Sequence, residues 1–262
     1  PDDVALAKLN GNLEGKKIIV QGLGNVGYHA AKFLQEEDGA NVIAILERDG
    51  ALLNENGLNV EQVFEYKKEH GKVEGFPNST FEAEGAKVLT HPCDILIPAA
   101  MEGVITKENA PNLQCKVLAE AANGPVTYEA DQILNQRNIF IIPDAYLNAG
   151  GVTVSYFEWI KNLSHVKFGR MDRRFAEAQS QKIIELMEGA LGKKLDNQAK
   201  EQLLEGPNEI NLVRSGLDDT MRESYNEIRE QQLMNPKISD RRTAAYALAI
   251  RKIADIYDSM FL

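Results

Sequence analysis

Cysteine, tryptophan and long apolar runs are scarce in this 262-residue chain, which has two cysteines and one tryptophan. Cys93 and Cys115 show neither CxxC spacing nor the spacing of zinc ligands, so we expect no metal site and no disulfide framework. No segment reaches the roughly 18 consecutive apolar residues that a membrane span requires, and no signal-peptide pattern opens the chain. Free thiols and the lack of a membrane segment predict a protein of the cytoplasm, with the mitochondrial matrix as an open alternative.

Basic residues are also fewer than acidic ones. The chain has 29 Lys and Arg and 39 Asp and Glu, which gives a net charge of −10. A chain with this charge repels polyphosphates at long range, so a general role in binding DNA or RNA is disfavoured. The first residue is Pro1 rather than methionine, which indicates a processed or truncated chain. The length and the 44% of hydrophobic residues suffice for one large domain or for a domain with an appendage.

Short apolar runs alternate with helical patterns over the first two thirds of the chain. The runs predict strands at residues 17–20, 41–46, 93–98, 115–118 and 138–142. Helical spacing of apolar side chains predicts helices at residues 25–34, 59–69 and 127–136. Nearly continuous apolar strands separated by helices are typical of a parallel sheet that is covered on both faces. The pattern therefore predicts an α/β fold with a Rossmann-like, doubly wound and mostly parallel sheet.

The residues after 150 lack strand patterns and are rich in helix-forming side chains. Helices are predicted at residues 179–191 and 241–260, with Ser239 and Asp240 as capping candidates for the second. A polar arm is expected around 165–214, including a loop at 192–207. We therefore expect two parts, a dinucleotide-binding domain at 1–150 and an all-helical hinge region at 151–262.

A glycine pattern of the form GxGxxG, made by Gly22, Gly24 and Gly27, follows the first predicted strand and opens the first predicted helix. In this context Gly22 permits a tight turn and Gly24 lets the backbone approach a pyrophosphate. Gly27 allows the helix to pack closely on the strand. Backbone N–H groups and the helix dipole then attract phosphate charge. The pattern predicts a dinucleotide-binding turn, against the alternative of a glycine-rich turn without a ligand.

Glu47 stands twenty residues after Gly27 and follows the second predicted strand, where a carboxylate can bind the hydroxyls of the adenosine ribose. Because a carboxylate at this place repels a 2′-phosphate, we expect NAD as the main cofactor. Arg48 could pair with that phosphate and soften the preference, so NADP stays an alternative.

Small or amide side chains follow three further predicted strands, as Ala99, Asn123 and Asn148. Ligands of doubly wound sheets lie across the carboxyl ends of the strands, and asparagine both donates and accepts hydrogen bonds. Taken singly, each asparagine fits a turn or a helix cap, whereas together they indicate a lined cleft. Ser155 lies in the next predicted helix, where a serine bonded to its own backbone carbonyls is the simpler interpretation.

The segment 148–159, Asn-Ala-Gly-Gly-Val-Thr-Val-Ser-Tyr-Phe-Glu-Trp, closely resembles glutamate dehydrogenases of the type that includes the animal enzymes. Further stretches agree with that family at residues 20–27, 93–100, 120–125 and 242–246. The resemblance implies a hexameric enzyme that converts L-glutamate and NAD to 2-oxoglutarate, ammonium and NADH, and the reverse.

The same resemblance implies roles for single residues. Asn25 and Val26 would contact the pyrophosphate region of the cofactor, and Glu47 the adenosine ribose. Ser155 would hydrogen-bond the side-chain carboxylate of glutamate. The cleft toward the nicotinamide would be lined by Ala99, Asn123 and Asn148.

Two departures from the family limit what this chain is expected to do. The catalytic lysine of the family lies in a glycine-rich segment, which neither Gly-Lys-Lys run of this chain, at 15–17 and 192–194, matches. We therefore expect no catalytic residue here, and a chain that binds the dinucleotide without turnover. Asn226 stands where the animal enzymes have an arginine that helps to bind an effector nucleotide, so ADP-type activation is not expected.

Two other hypotheses stay open. A related amino-acid dehydrogenase would share the fold, although Ser155 argues against it. A non-catalytic dinucleotide-binding or interaction module would agree with the missing lysine segment.

Overall fold

The structure is a computed structural model that describes residues 2–164, 170–196, 200 and 209–260. Within these residues, seven strands form one sheet. The strands are β1 (Lys17–Gln21), β2 (Asn41–Glu47), β3 (Gly50–Leu53), β4 (Thr80–Glu82), β5 (Ile95–Pro98), β6 (Val117–Ala119) and β7 (Phe140–Ile142). They lie in the order β4-β3-β2-β1-β5-β6-β7.

Strand β1 pairs in parallel with β2 on one side and with β5 on the other. Strands β5, β6 and β7 continue the sheet in parallel. The chain thus passes from β1 to β2 and later returns to the opposite side of β1, which creates a topological switch point between β1 and β5. Ligands of such sheets bind beside this point at the carboxyl ends of the strands. The predicted doubly wound, mostly parallel sheet is confirmed.

Strands β3 and β4 are the part of the sheet that the sequence patterns do not predict. They add an antiparallel pair at the β2 edge, β3 with β2 and β4 with β3. Four residues in β3 and three in β4 are too few for an apolar alternation to show. Gly50 begins β3 with a φ of +148°, and a Cβ at this residue would lie 2.5 Å from the ring of Phe81.

Helices connect the strands and are capped by side chains that the sequence provides. Helix α3 (Val60–His70) starts after Asn59, whose side chain accepts a hydrogen bond from Gln62 N. Helix α4 (Tyr128–Gln136) starts after Thr127, whose hydroxyl accepts one from Ala130 N. These caps explain why the predicted starts at residues 59 and 127 lie next to the observed ones. The helices of this region are α1 (Asp2–Leu6), α2 (Asn25–Glu36), α3 (Val60–His70), α4 (Tyr128–Gln136) and α5 (Asp144–Leu147).

Buried side chains form an apolar cluster on each face of the sheet. Ile18 and Val20 of β1 belong to one cluster and Ile19 to the other, as the alternation of side chains along a strand requires. Val63 of α3 joins the first cluster and Leu134 of α4 the second. The helices therefore cover both faces and leave the strand ends as the place for a ligand.

The chain divides into two compact units, Pro1–Ala149 with Glu227–Leu262, and Gly150–Asn226. The first unit thus includes the residues from Glu227 onward, which lie in the helix-rich part of the sequence. The reason is a separate apolar cluster against which Tyr146 packs, formed by Ile228, Ile238 and, in the last helix, Ala244, Ala245 and Leu248. The later helices are α6 (Ala149–Ser164), α7 (Arg170–Leu191), α8 (Glu209–Met234) and α9 (Arg241–Met260).

The last helix agrees with the prediction for residues 241–260, and its start is capped by Asp240, whose Oδ1 accepts a hydrogen bond from Thr243 N at 2.7 Å. Helix α7 includes the predicted helix at 179–191. Of the expected polar arm at 165–214 with its loop at 192–207, residues 165–169, 197–199 and 201–208 lie outside the described residues.

Candidate functional site

The turn after β1 is packed between the ends of two neighbouring strands. Gly22 N donates to Leu46 O of β2 at 2.7 Å, and Ala99 N donates to Gln21 O at 2.8 Å. Gly22 has a φ of +94°, and a Cβ there would lie 2.7 Å from Ala100 Cβ. Both the backbone conformation and the close approach therefore require glycine at this position.

Gly24 and Gly27 have opposite surroundings in this turn. A Cβ on Gly27 would lie 1.8 Å from Gly22 O and 3.3 Å from Ala99 Cβ, so helix α2 packs directly on the turn. Among the described residues, nothing lies within 4 Å of the place that a Cβ on Gly24 would take. Gly27 is thus explained by packing, whereas Gly24 borders open space.

Helix α2 begins at Asn25 beside this open space, with Gly24 as its N-cap. In the described part of the chain no side chain caps the first turn, and Asn25 and Val26 are exposed. Uncapped N–H groups at a helix N-terminus form a site for an anion, because the helix dipole adds to their own partial charges. The start of α2 could therefore hold an anion such as a phosphate group.

Glu47 ends β2 and reaches the same turn through one carboxylate oxygen. Its Oε1 accepts a hydrogen bond from Leu23 N at 2.5 Å and lies 2.8 Å from Lys67 Nζ. Its Oε2 is 3.4 Å from Arg48 N, a contact too long for a strong hydrogen bond. The second oxygen is the one suited to accept a hydrogen bond from a ribose hydroxyl.

Lys67 is the cation at this carboxylate, and the sequence analysis, which considered Arg48 as a partner for a 2′-phosphate, did not identify it. Lys67 Nζ also lies 3.3 Å from Leu23 O, so the ammonium group joins Glu47 to the glycine turn. The side chain of Lys67 is 28% exposed and that of Glu47 14%. Lys67 reaches Glu47 from the last turn of α3. No motif marks this position in the sequence.

Asn123 and Asn148 lie after β6 and β7, on the side of β1 opposite to Glu47. Asn148 Nδ2 donates to Asn123 Oδ1 at 2.6 Å, so the two amides form a hydrogen-bonded pair. Asn123 is exposed and Asn148 half-buried. The pair still has free donor and acceptor capacity, because each amide group carries two N–H donors and one carbonyl oxygen.

Arg242 is a further group that the sequence reasoning did not assign. Its guanidinium contacts Glu120 Oε1 at 2.5 Å, Asp131 Oδ1 at 3.0 Å and Asp144 Oδ1 at 3.1 Å. Burial alone would lower the pKa of Arg242, but Glu120 and Asp131 outweigh it and raise that pKa, so the guanidinium stays charged. Burial also raises the pKa of Glu120, and the hydrogen bond from Arg242 opposes that rise.

Ser155 lies in α6, within the second unit. Its side chain is exposed, and its Oγ donates to Gly151 O at 3.1 Å. This is the back-bonded helix serine that the local sequence pattern favours.

Among the residues that the structure describes, no group of three or more His, Cys, Asp or Glu side chains could hold a metal ion. None of the helices in the described ranges combines the length and the hydropathy needed to cross a membrane.

Comparison with known proteins places the chain in one family. The family model described as Glutamate/Leucine/Phenylalanine/Valine dehydrogenase matches residues 3–208. The mitochondrial glutamate dehydrogenase of Dictyostelium discoideum is 48% identical over 251 residues, which are 96% of this chain and 49% of that protein. The NADP-specific glutamate dehydrogenase of Saccharolobus shibatae is 44% identical over 160 residues, 61% of this chain and 37% of that protein.

Among solved structures, the hetero-hexameric glutamate dehydrogenase of Thermus thermophilus has the same fold, with a TM-score of 0.71. Its sequence is 22% identical, and the match covers 96% of this chain and 49% of that one. The chain thus spans about half the length of the relatives it matches.

Proposed function

The chain belongs to the glutamate/leucine/phenylalanine/valine dehydrogenase family, and from this premise we propose that it binds a nicotinamide adenine dinucleotide across the strand ends. The observation that carries the proposal is the open space at Gly24 beside the uncapped start of α2. Gly22, Gly24, Asn25, Val26 and Gly27 would surround the diphosphate. Glu47 would hold the adenosine ribose.

The main cofactor in this proposal is NAD, and NADP is the alternative cofactor. Glu47 Oε2 favours a free ribose hydroxyl, because a carboxylate and a 2′-phosphate repel each other. Lys67 reduces that repulsion, because its ammonium group lies 2.8 Å from Glu47 Oε1. One relative is named as NADP-specific, which agrees with a family that uses both cofactors.

In the whole protein we propose the interconversion of L-glutamate and 2-oxoglutarate. The cofactor would supply hydride transfer when bound, and Ala99, Asn123 and Asn148 would line its nicotinamide end. Ser155 would turn its hydroxyl from Gly151 O to the side-chain carboxylate of glutamate, since a charged acceptor forms the stronger hydrogen bond. Because no lysine segment of this sequence matches the catalytic one, the 262 residues alone would bind the cofactor without turnover.

The whole protein would also assemble from several copies. One matched structure is named as a hetero-hexamer, and we propose a hexamer of identical chains for this protein. Glutamate, 2-oxoglutarate and the other copies would be its partners.

The proposal can be tested with a substitution that changes the site and spares the fold. A Cβ at Gly24 meets no atom within 4 Å in the described residues, and the φ of −86° suits any residue. Gly24→Ala should therefore fold, at a cost of less than about 1 kcal/mol for the poorer N-cap. The methyl group would occupy the space of the diphosphate, so NADH titrated by its fluorescence should bind at least about tenfold more weakly, a loss of about 1.4 kcal/mol.

Gly189→Ala is the matched control, because it adds the same methyl group in open space on α7, in the second unit. NADH should bind this variant as it binds the unchanged chain. Equal affinities for the Gly24 and Gly189 variants would refute a diphosphate site at the turn.

A further inference from the structure

Arg242 links the last helix to the edge of the sheet where the asparagine pair lies. The residue is the second of α9 and contacts three carboxylates, of which Glu120 directly follows β6 and Asp144 is the second residue after β7. Glu120 is fully buried, and Asp144 N donates to its Oε2 at 2.9 Å. One guanidinium therefore holds together the chain segments that leave two neighbouring strands.

The side chain of Asp144 connects Arg242 to the turn that carries Asn123. Its Oδ1 lies 3.1 Å from Arg242 Nη1, and its Oδ2 accepts a hydrogen bond from Gly124 N at 2.7 Å. Gly124 follows Asn123 directly and has a φ of +54°. Fixing the carboxylate therefore fixes the turn that carries Asn123.

Asp144 also holds the second asparagine. Asn148 N donates to Asp144 O at 3.2 Å at the end of α5, and its side chain then donates to Asn123 Oδ1. Both amide groups thus depend on the position of one aspartate. A guanidinium suits this task, because its planar set of five donors can serve three carboxylates in fixed directions.

The sheet order shows which part of the ligand this pair serves. Glu47 and the diphosphate turn lie at the ends of β2 and β1, whereas the asparagines follow β6 and β7, beyond the switch point. A dinucleotide bound across the switch point places its two nucleotides on opposite sides of it. With the adenosine half at Glu47, the nicotinamide half lies on the side of the asparagine pair.

We propose that Arg242 is a positioning residue for the nicotinamide half of the cofactor site and acts through Asp144. The proposal rests on the proposed dinucleotide site. It assigns to α9, outside the strands and the glycine turn, a defined part in cofactor binding.

The test compares two ligands on four variants of the chain. ADP-ribose lacks the nicotinamide and reports on the adenosine and diphosphate contacts, whereas NADH reports on the whole site. Arg242→Gln should weaken NADH about tenfold, roughly the effect of one or two lost hydrogen bonds, and should leave the affinity for ADP-ribose within about twofold. Asp144→Asn should have the same effect, because the NH2 group of asparagine would replace one of the two acceptor oxygens and face a donor, either Arg242 or Gly124 N.

Arg241→Gln is the matched control. It makes the same substitution in the preceding residue, whose Nη2 pairs with Asp3 Oδ1 at 2.6 Å and has no described link to the asparagine turn. It should leave the ratio of the two affinities unchanged. The double variant Arg242→Gln with Asp144→Asn should change that ratio no more than either single variant, because both act through one path.

The outcomes distinguish a wrong positioning role for Arg242 from a wrong cofactor site. Equal losses for NADH and ADP-ribose in the Arg242 variant, or the same ratio change in the Arg241 control, would refute the positioning role. If Arg242→Gln does not fold, Asp144→Asn decides alone, because Arg242 keeps Glu120 and Asp131 in that variant. Failure of the unchanged chain to bind either ligand would refute the proposed function itself.

Discussion

At the scale of residues, the two carboxylate oxygens of Glu47 differ in their contacts, and the proposed site gives each oxygen its own task. Oε1 joins Leu23 N to Lys67 and so fixes the turn on β2, while Oε2 faces neither of these groups. The spacing of Glu47 after the glycines is visible in the sequence. The different contacts of its two oxygens cannot be read from the sequence, because they depend on Lys67 at the end of α3.

Glu47→Gln tests the task of Oε2. Glutamine keeps an oxygen for Leu23 N but loses the charge that repels a 2′-phosphate, and it frees Lys67 to pair with that phosphate. The ratio of NADP affinity to NAD affinity should rise by about tenfold or more, which corresponds to about 1.4 kcal/mol. Calorimetric titration with each cofactor measures the ratio.

Lys67→Gln should move the same ratio in the opposite direction. Lys68→Gln, on the neighbouring residue with an exposed ion pair to Glu65, serves as control and should leave it unchanged. An unaltered ratio in the Glu47 variant would mean that this carboxylate does not contact the ribose.

The two thiols predict a loss of stability at alkaline pH. Burial raises the pKa of Cys115 from 9.0 to about 11, and burial likewise raises the pKa of Cys93. Above pH 9 the unfolded chain releases thiol protons that the folded chain retains, so the unfolded state gains stability. The free energy of unfolding should therefore fall as pH rises from about 9 to about 11, by up to about 1.4 kcal/mol per pH unit and thiol.

Urea unfolding of the unchanged chain and of Cys115→Ala, measured between about pH 8 and about pH 10.5, isolates this effect, because lysines and tyrosines contribute alike to both. The variant should show the smaller decrease. Parallel pH profiles would show that burial of Cys115 does not affect stability in this range.

At the scale of elements, the contact between α2 and the glycine turn is the tightest in the site. Gly27→Ala would place a Cβ 1.8 Å from Gly22 O, a backbone atom that cannot move without displacing the turn. The free energy of unfolding should fall by about 3 kcal/mol, as measured by the midpoint of urea unfolding. Gly24→Ala, three residues earlier, should cost less than about 1 kcal/mol, and similar losses for both would contradict the packing described for Gly27.

The helices and strands also differ in how well the sequence patterns predict them. Helix α9 agrees with its prediction because Asp240 caps its start, and β1, β2 and β5 are apolar runs in a strand-helix alternation. Strands β3 and β4 are short and lie at the sheet edge, so neither length nor alternation marks them. The contacts of Lys67 and Arg242 could not be predicted, because each joins residues far apart in the chain and depends on how helices pack.

At the scale of the whole molecule, the first unit combines the strand ends with the C-terminal helix that carries Arg242. The residues from Glu227 onward therefore belong to the same unit as the strands, although composition groups them with the other helices. In a chain that spans about half the length of its relatives, this unit contains the glycine turn, Glu47 and the asparagine pair of the proposed dinucleotide site.

The most direct test of this account is calorimetric titration of the unmodified 262-residue chain with NAD at neutral pH, with circular dichroism to verify the fold. Saturable heat with a stoichiometry of one NAD per chain is the predicted result. A correctly folded chain that releases or absorbs no heat of binding with NAD or with NADP would contradict it.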